Sequence, residues 1–194
     1  MKYYQDITLL PDPETDLYFL WQKVYQQLHL ALVEQKGEDD LVSIGFSWPT
    51  YQYSKSRKHL GNKLRILAPT ESDLQELDIE KWLSRLTDYV HITKARQVPP
   101  EVKEYASFSR VQTKSNKARI ARRKAKRENT SVEQALEALE GFIEKHSDLP
   151  FIRAKSLGGG QNFNLPIRCE LKPQPKEGRF SCYGLSRSST VPWF

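Results

Sequence analysis

The chain has 194 residues, of which 38% are hydrophobic and 11% aromatic, enough to build one large core or two small ones. No apolar run reaches the roughly 18 residues that a membrane-spanning helix needs, and the first residues lack the apolar stretch of a signal peptide. Two cysteines, Cys169 and Cys182, make no disulfide framework. We therefore expect a cytoplasmic protein with reduced thiols and no membrane partner.

The positive charge is concentrated in one segment. The net charge is +6, and residues 110–127 contain nine Lys or Arg and no acid. The remainder of the chain therefore has fewer basic than acidic residues. A near-neutral body with one concentrated basic element is typical of a protein that binds a polyanion.

The first half alternates strands and helices. Periodicity predicts a strand, an amphipathic helix, two strands separated by a polar loop (50–61), a second amphipathic helix from Ser72, and a fourth strand. The first helix is expected at 14–35, and the strands are expected at 2–10, 41–48, 63–68 and 88–98. This βαββαβ order predicts a ferredoxin-like domain over residues 1–98, ending before Pro99-Pro100. The third strand lacks the aromatic signature of RNA-recognition modules, so we do not expect RNA to stack across this sheet.

Residues 99–194 predict a second α+β domain, and the fold class is therefore α+β. An alternating stretch precedes a basic helix over about 115–127, which Ser115 or Asn116 can cap. A capping box at 130–133 opens another amphipathic helix, whose buried face we expect to be Leu136, Leu139, Phe142 and Ile143. Strands are then expected at 105–112, 151–155, 162–169 and 179–186.

The basic helix presents one cationic face. Five basic side chains fall within an arc of about 140° at 100° per residue: Arg119, Arg122, Arg123, Lys126 and Arg127. Small residues fall on the opposite side: Ala118, Ala121 and Ala125. A solvated, salt-bridged helix would interleave acids at i+4, and this one has none. The pattern therefore favours nucleic-acid binding by phosphate and guanine contacts.

Arg110 and Gln112 lie two residues apart just before this helix. On a strand or an extended linker they project to one side. Arg can pair with guanine and Gln with adenine. The alternative is two exposed polar residues without a role, and the pair alone does not decide between them.

His29 is the candidate general base. On the wheel of the 14–35 helix it lies about 120° from the centre of the apolar stripe, at a flank that solvent can reach. An imidazole takes up and releases protons near neutral pH, although a surface histidine without function remains an alternative. The chain has no HxxEH, CxxC or clustered carboxylate motif, which disfavours a metal nuclease.

With these residues in place, the chain resembles the CRISPR-associated repeat-processing endoribonucleases of subtype I-F over nearly its whole length. The matching blocks are Leu28-His29, Ala31-Leu32-Val33, Ile44-Gly45-Phe46-Ser47, Ser109-Arg110-Val111-Gln112, Lys114-Ser115-Asn116, the arginine helix, Leu149-Pro150-Phe151, Ser156, Gln161-Asn162-Phe163 and Ile167-Arg168. The most specific are Cys182-Tyr183-Gly184-Leu185-Ser186 and Val191-Pro192-Trp193-Phe194.

The resemblance implies a protein that binds the stem-loop of each repeat transcript and cuts at the 3′ base of the stem. It implies that His29 is the general base, that Ser156 holds the 2′-hydroxyl, and that Tyr183 lies near the histidine. Phe163 is expected to stack under the terminal base pair, where a core aromatic is the alternative. No metal and no cofactor are implied. The partners are the repeat hairpin and the other subunits of the subtype I-F surveillance complex.

One departure from the family pattern concerns the loop after Ser156. Where relatives have hydroxyl residues, this chain has Gly158 and Gly159, so hydroxyl contacts from this loop to RNA are in doubt.

Two other functions remain open. One is a hairpin-binding subunit without activity, and the weaker one is a DNA-binding helix protein.

Overall fold

The computed structural model describes residues 1–112, 117–143, 147–156 and 160–194. The strands are β1 (Tyr3–Leu9), β2 (Leu41–Val42), β3 (Gly45–Ser47), β4 (Gln52–Tyr53), β5 (Lys58–His59), β6 (Lys63–Ala68), β7 (Val90–Ile92), β8 (Arg96–Gln97), β9 (Tyr105–Arg110), β10 (Phe151–Lys155), β11 (Asn162–Lys172), β12 (Phe180–Ser181) and β13 (Val191–Pro192). The helices are α1 (Leu17–Glu34), α2 (Glu71–Leu77), α3 (Ile79–Trp82), α4 (Lys117–Glu128) and α5 (Val132–Glu137). The predicted α+β class is confirmed.

The described part of the chain divides into two compact units. The larger unit comprises Met1–Arg110 and Leu149–Phe194, and the smaller comprises Val111–Asp148. The return of the chain after Asp148 therefore adds its last strands to the first half. The predicted division into domains 1–98 and 99–194 stays a prediction.

One sheet of the larger unit contains the first strand at its centre. Its order is β3-β6-β1-β7, and β8 also pairs with β1. All these pairs are antiparallel, with Ile7 opposite Leu64 and Asp6 opposite Arg65. Because side chains alternate along a strand, the apolar and the charged pair project to opposite faces of the sheet. Helices α1 and α2 pack on this sheet.

A second sheet has the order β10-β11-β9-β13. Helix α1 also packs against β10, so one helix contacts both sheets. The two sheets share a buried core, in which the ring centroids of Trp48 and Phe108 lie 5.2 Å apart. The periodic apolar stripe of α1, including Leu20, Val24 and Leu28, is buried in this core. Packing on two sides makes α1 the element that positions the site.

In the smaller unit, α4 packs against α5. Ala121, Ala125 and Ala135 are buried, with Leu136 and Leu139 packed beside them. Small side chains at this contact let the two helices approach closely. The prediction that alanines face away from solvent is confirmed for Ala121 and Ala125, whereas Ala118 is exposed.

Several predicted elements of the first half are interrupted. The strand predicted over 41–48 splits into β2 and β3, which pair with different strands. The loop predicted over 50–61 contains the β4–β5 hairpin. The second amphipathic helix breaks at Asp78, whose φ of 45° ends α2 and caps α3.

Three predictions for the second half are wrong. The strand predicted over 179–186 is limited to β12, because the chain turns at Gly184, where φ is +68°. The helix after the capping box ends at Glu137, and Ile143 is 81% exposed rather than buried. The capping box is present, but Ser131 and Gln134 form it. Residues Ser115 and Asn116, the predicted cap of the basic helix, lie outside the described residues.

A buried ion pair joins the central strands. Arg65 donates from Nε and Nη2 to the two carboxylate oxygens of Asp6, at 2.7 and 3.0 Å. Its guanidinium packs against the rings of both Tyr4 and Phe194, with Cζ 4.5 and 3.8 Å from their centroids. Nη1 also donates to the carbonyl oxygen of Phe194, at 2.6 Å. One side chain therefore links two strands and the end of the chain.

We predict that Arg65→Met destabilises the protein strongly. The Asp6 carboxylate would stay buried, and its remaining cationic neighbour among the described residues would be Lys63, whose Nζ is 3.8 Å away. Breaking one side of a buried pair costs about 3 kcal/mol or more of the free energy of unfolding, which urea denaturation measures. The matched control is Arg85→Met at an exposed position, where a change within about 0.5 kcal/mol is expected. Equal losses in both variants would contradict this role of the pair.

Candidate active site

A cavity of about 200 Å³ lies in the larger unit beside α1. Its walls come from one face of the helix, from the end of β10, from β11 and from the turn after β12. The helix positions are spaced i, i+3, i+4 and i+7, which share one face. The lining residues are Gln22, Tyr25, Gln26, His29, Arg153, Ala154, Lys155, Ser156, Phe163 and Tyr183. The cavity thus brings together His29, Ser156, Phe163 and Tyr183.

Two contacts hold the imidazole of His29. Its Nδ1 lies 2.8 Å from the carbonyl oxygen of Cys182, and its ring stacks on Tyr183 with centroids 4.1 Å apart and planes 8° apart. Because a carbonyl oxygen only accepts hydrogen bonds, Nδ1 carries the hydrogen in the neutral ring. Nε2 then keeps its lone pair and can accept a proton.

Tyr25, which lies one helical turn before His29, also contacts the turn after β12. Its hydroxyl donates a 2.8 Å hydrogen bond to the carbonyl oxygen of Tyr183. Burial raises the pKa of this phenol well above its ordinary value, with a further contribution from Tyr183. The hydroxyl therefore stays protonated near neutral pH and can donate this hydrogen bond. Sequence reasoning missed Tyr25, although its position four residues before His29 was a usable signal.

Ser156 follows β10 at the start of the loop to β11. Its N–H donates to the carbonyl of Gln161, and its carbonyl accepts from Gly160, both at 2.9 Å. These bonds hold the Ser156 backbone at the cavity wall. Gly158 and Gly159, the departure noted in the sequence, lie outside the described residues.

Arg110 ends β9 and lies over two aromatic rings. Its Cζ is 5.2 Å from the ring centroid of Phe163 and 6.0 Å from that of Tyr183. Its Nε is buried and has no hydrogen-bond partner among the described residues. An unpaired buried donor is costly unless a ligand supplies an acceptor. Phe163 is half-buried and packs against the core beside the guanidinium, so its role in stacking stays a prediction and the core aromatic stays the alternative.

The smaller unit contains the remaining candidate residues. The five basic side chains predicted for one face of α4 are all exposed, as is Gln112. An acid follows them: Glu128 accepts from Arg127 at 2.7 Å and lies 3.9 Å from Lys124. The hydrogen bond from Arg127 lowers the pKa of this carboxyl. The expectation that this helix has no acid at i+4 is therefore wrong for its last turn, where Glu128 lies at i+4 from Lys124. All five predicted cations precede this acid.

Two features are absent from the described residues. No group of three or more His, Cys, Asp or Glu side chains there is arranged to hold a metal ion. None of the helices in the described ranges is long and apolar enough to cross a membrane. Cys169 and Cys182 are both free thiols.

Comparison with known proteins identifies the family. The family described as CRISPR-associated protein (Cas_Csy4) matches residues 4–194. A protein of Pseudomonas aeruginosa (strain UCBPP-PA14), named CRISPR-associated endonuclease Cas6/Csy4, is 40% identical over 195 residues, covering 100% of both chains. A protein of the same name from Escherichia coli (strain UTI89 / UPEC) is 38% identical, also over 100% of both chains. The chain therefore belongs to the Cas_Csy4 family, which confirms the resemblance to the subtype I-F proteins.

We predict that Gly184→Ala disrupts the turn that carries Tyr183. Residue 184 has φ +68°, and an added Cβ would overlap the ring of Phe46. The left-handed backbone and the clash together cost about 3 kcal/mol of the free energy of unfolding. Thermal denaturation should show a clearly lower Tm. Gly141→Ala is the control, because no heavy atom lies within 4 Å of its added Cβ. A Tm unchanged by Gly184→Ala would show that the turn tolerates a side chain.

Proposed function

We propose that this protein is a CRISPR endoribonuclease that binds the stem-loop of the repeat transcript and cuts at the 3′ base of the stem. The observation that carries the proposal is His29, held with Nδ1 on a carbonyl, in one cavity with Ser156 and Tyr183. The names of the two relatives support an endonuclease. The strand order β3-β6-β1-β7 supports a ferredoxin-like first domain.

The proposed chemistry uses the RNA's own nucleophile. Nε2 of His29 takes the proton from the 2′-hydroxyl, and the 2′-oxygen forms a bond to the adjacent phosphorus. The bond from phosphorus to the 5′-oxygen breaks, and that oxygen takes a proton from water. The products are a 2′,3′-cyclic phosphate and a 5′-hydroxyl. Ser156 holds the 2′-hydroxyl, and the Tyr183 ring keeps the imidazole in place. No step needs a metal ion.

The hairpin is held by side chains in both units. The exposed cationic face of α4 binds the phosphates of the stem. Each cation that pairs with a phosphate releases counterions from the RNA, and this release favours binding. The buried Nε of Arg110 has no hydrogen-bond partner among the described residues. A guanine or phosphate acceptor can supply that partner. Phe163 stacks under the terminal base pair, and Gln112 contributes a second base contact.

After cleavage, the protein stays bound to the processed RNA in the cytoplasm as part of the subtype I-F interference complex. A binding surface built from many phosphate contacts does not depend on the scissile bond, so the product hairpin keeps most of the affinity of the substrate.

We predict that His29→Ala lowers the single-turnover cleavage rate about 10²–10⁴-fold while the Kd for the hairpin stays nearly unchanged. The measurement uses the repeat hairpin of the protein's own genome, with a chelator present. The matched control is His59→Ala in β5, which does not line the cavity. The control should cleave at the wild-type rate.

A 2′-deoxy substitution at the cleaved nucleotide tests the nucleophile. This RNA should bind normally and remain intact. Its cleavage would disprove attack by the 2′-hydroxyl, and loss of wild-type activity in the chelator would disprove the metal-free reaction. Tight binding without cleavage of the all-ribose hairpin would instead indicate a binding subunit without activity. Tighter binding to duplex DNA would indicate a DNA-binding protein.

We predict that changing Arg119, Arg123 and Arg127 together to Ala weakens hairpin binding and flattens its salt dependence. Fewer counterions are released when fewer cations meet phosphates, so the slope of log Kd against log salt falls by about 2–3 units. The matched control changes three exposed cations of the larger unit: Arg85, Lys94 and Lys103. A slope unchanged by the α4 variant would show that this face does not meet phosphate.

A further inference from the structure

Two cations that the proposed reaction leaves without a role line the cavity around His29. They are Arg153 and Lys155, at alternate positions of β10. Because side chains alternate along a strand, both project from the same face of β10. Phe151 precedes them on that face, and its ring contacts the ring of Tyr18 in α1, with centroids 5.9 Å apart. This face of β10 is therefore turned toward α1, the helix that carries His29.

Lys155 is the cation next to the proposed substrate-holding serine. It is the last residue of β10, and Ser156 follows it directly. His29 lines the same cavity from α1. Arg153 lies two residues earlier, about 7 Å farther along the strand at 3.3 Å per residue. Of the two cations, Lys155 is therefore the closer along the chain to Ser156.

No acid in the described part of the chain neutralises these cations. The described residues that line the cavity include no acid. Neither Arg153 nor Lys155 forms an ion pair with another described residue, and both are exposed. A lysine ammonium donates hydrogen bonds and accepts none, so it binds acceptors and anions. An anion that enters this cavity meets positive charge on the β10 wall.

The proposed reaction increases the negative charge at the phosphorus. Once His29 has taken the proton, attack by the 2′-oxygen gives a five-coordinate phosphorus with one more negative charge than the phosphodiester. The non-bridging oxygens carry this charge until the bond to the 5′-oxygen breaks. A cation beside these oxygens stabilises the transition state more than the bound RNA, because the charge is larger in the transition state.

We infer that Lys155 is a further catalytic residue, whose ammonium donates a hydrogen bond to a non-bridging oxygen of the scissile phosphate. The inference rests on the proposed function, which puts this phosphate beside His29 and Ser156. Arg153, farther along the wall, adds only a longer-range attraction. Lys155 forms no covalent bond and transfers no proton, so the products remain the 2′,3′-cyclic phosphate and the 5′-hydroxyl.

The test separates the rate of cleavage from the affinity for RNA. Single-turnover cleavage of the repeat hairpin is measured at saturating protein, and the Kd is measured with a hairpin whose 2′-deoxy at the cleaved nucleotide keeps it intact. Lys155→Gln should lower the rate about 10²-fold and change the Kd by less than about threefold. Lys155→Arg keeps the charge and should bring the rate to within about tenfold of the wild type. Arg153→Gln should lower the rate only about threefold, because its charge is more distant.

The matched control is Lys23→Gln, which removes an exposed cation of α1 that does not line the cavity. This variant should cleave at the wild-type rate. Thermal denaturation should give the same Tm for the wild type and both Lys155 variants, since this side chain is exposed. A wild-type rate in Lys155→Gln, an equal loss in Lys155→Arg, a Kd that rises as far as the rate falls, or a Tm that falls in step with the rate would each overturn the inference.

Cleavage by the wild type separates the two possible failures. If the wild type cuts the hairpin and Lys155→Gln cuts it equally fast, the inference about Lys155 fails and the proposed function stands. If the wild type cuts no hairpin, the proposed function itself fails, and the inference about Lys155 fails with it.

Discussion

The candidate site depends on two hydrogen bonds between α1 and the turn after β12. His29 and Tyr25, one helical turn apart, bond to the consecutive carbonyl oxygens of Cys182 and Tyr183. Two bonds to neighbouring peptide groups fix both the position and the direction of the turn along the helix. The same contact selects the imidazole tautomer and sets the ring of Tyr183 parallel to it. Without it, the cavity would lose one wall and the proposed base would lose its orientation.

The turn itself is held from its other side by the sheet. The N–H of Phe46 in β3 donates to the carbonyl oxygen of Gly184, at 2.8 Å. The ring of Phe46 packs close to Gly184, which explains why a residue without Cβ stands there. Sheet, turn and helix thus form a continuous set of contacts. A proposed catalytic group supported by regular elements is more precisely placed than one on a free loop.

Charge and chemistry are separated in this protein. The predicted cations of α4 are exposed, whereas the described residues that line the cavity around His29 supply an imidazole, two phenols, a hydroxyl, two amides and two cations. Phosphate binding needs many fixed charges, but a general base must accept a proton and is better served by a site with few of them. In the proposed function, this division assigns binding of the hairpin to one set of residues and its cleavage to another.

The sequence by itself determined the features that depend on local order. The apolar stripe of α1, with Leu20, Val24 and Leu28, follows from apolar residues that recur with the helical period of 3.6 residues. The same period predicts the exposed basic face of α4. The tertiary structure decided the rest. It turned the chain at Gly184, where a strand was predicted, and placed Tyr25, Arg153 and Lys155 around His29. The contact from His29 to Cys182 spans 153 positions. Contacts of this separation leave no periodic signal, because they follow from how the sheets and α1 pack, and only the family resemblance had linked His29 to Ser156 and Tyr183.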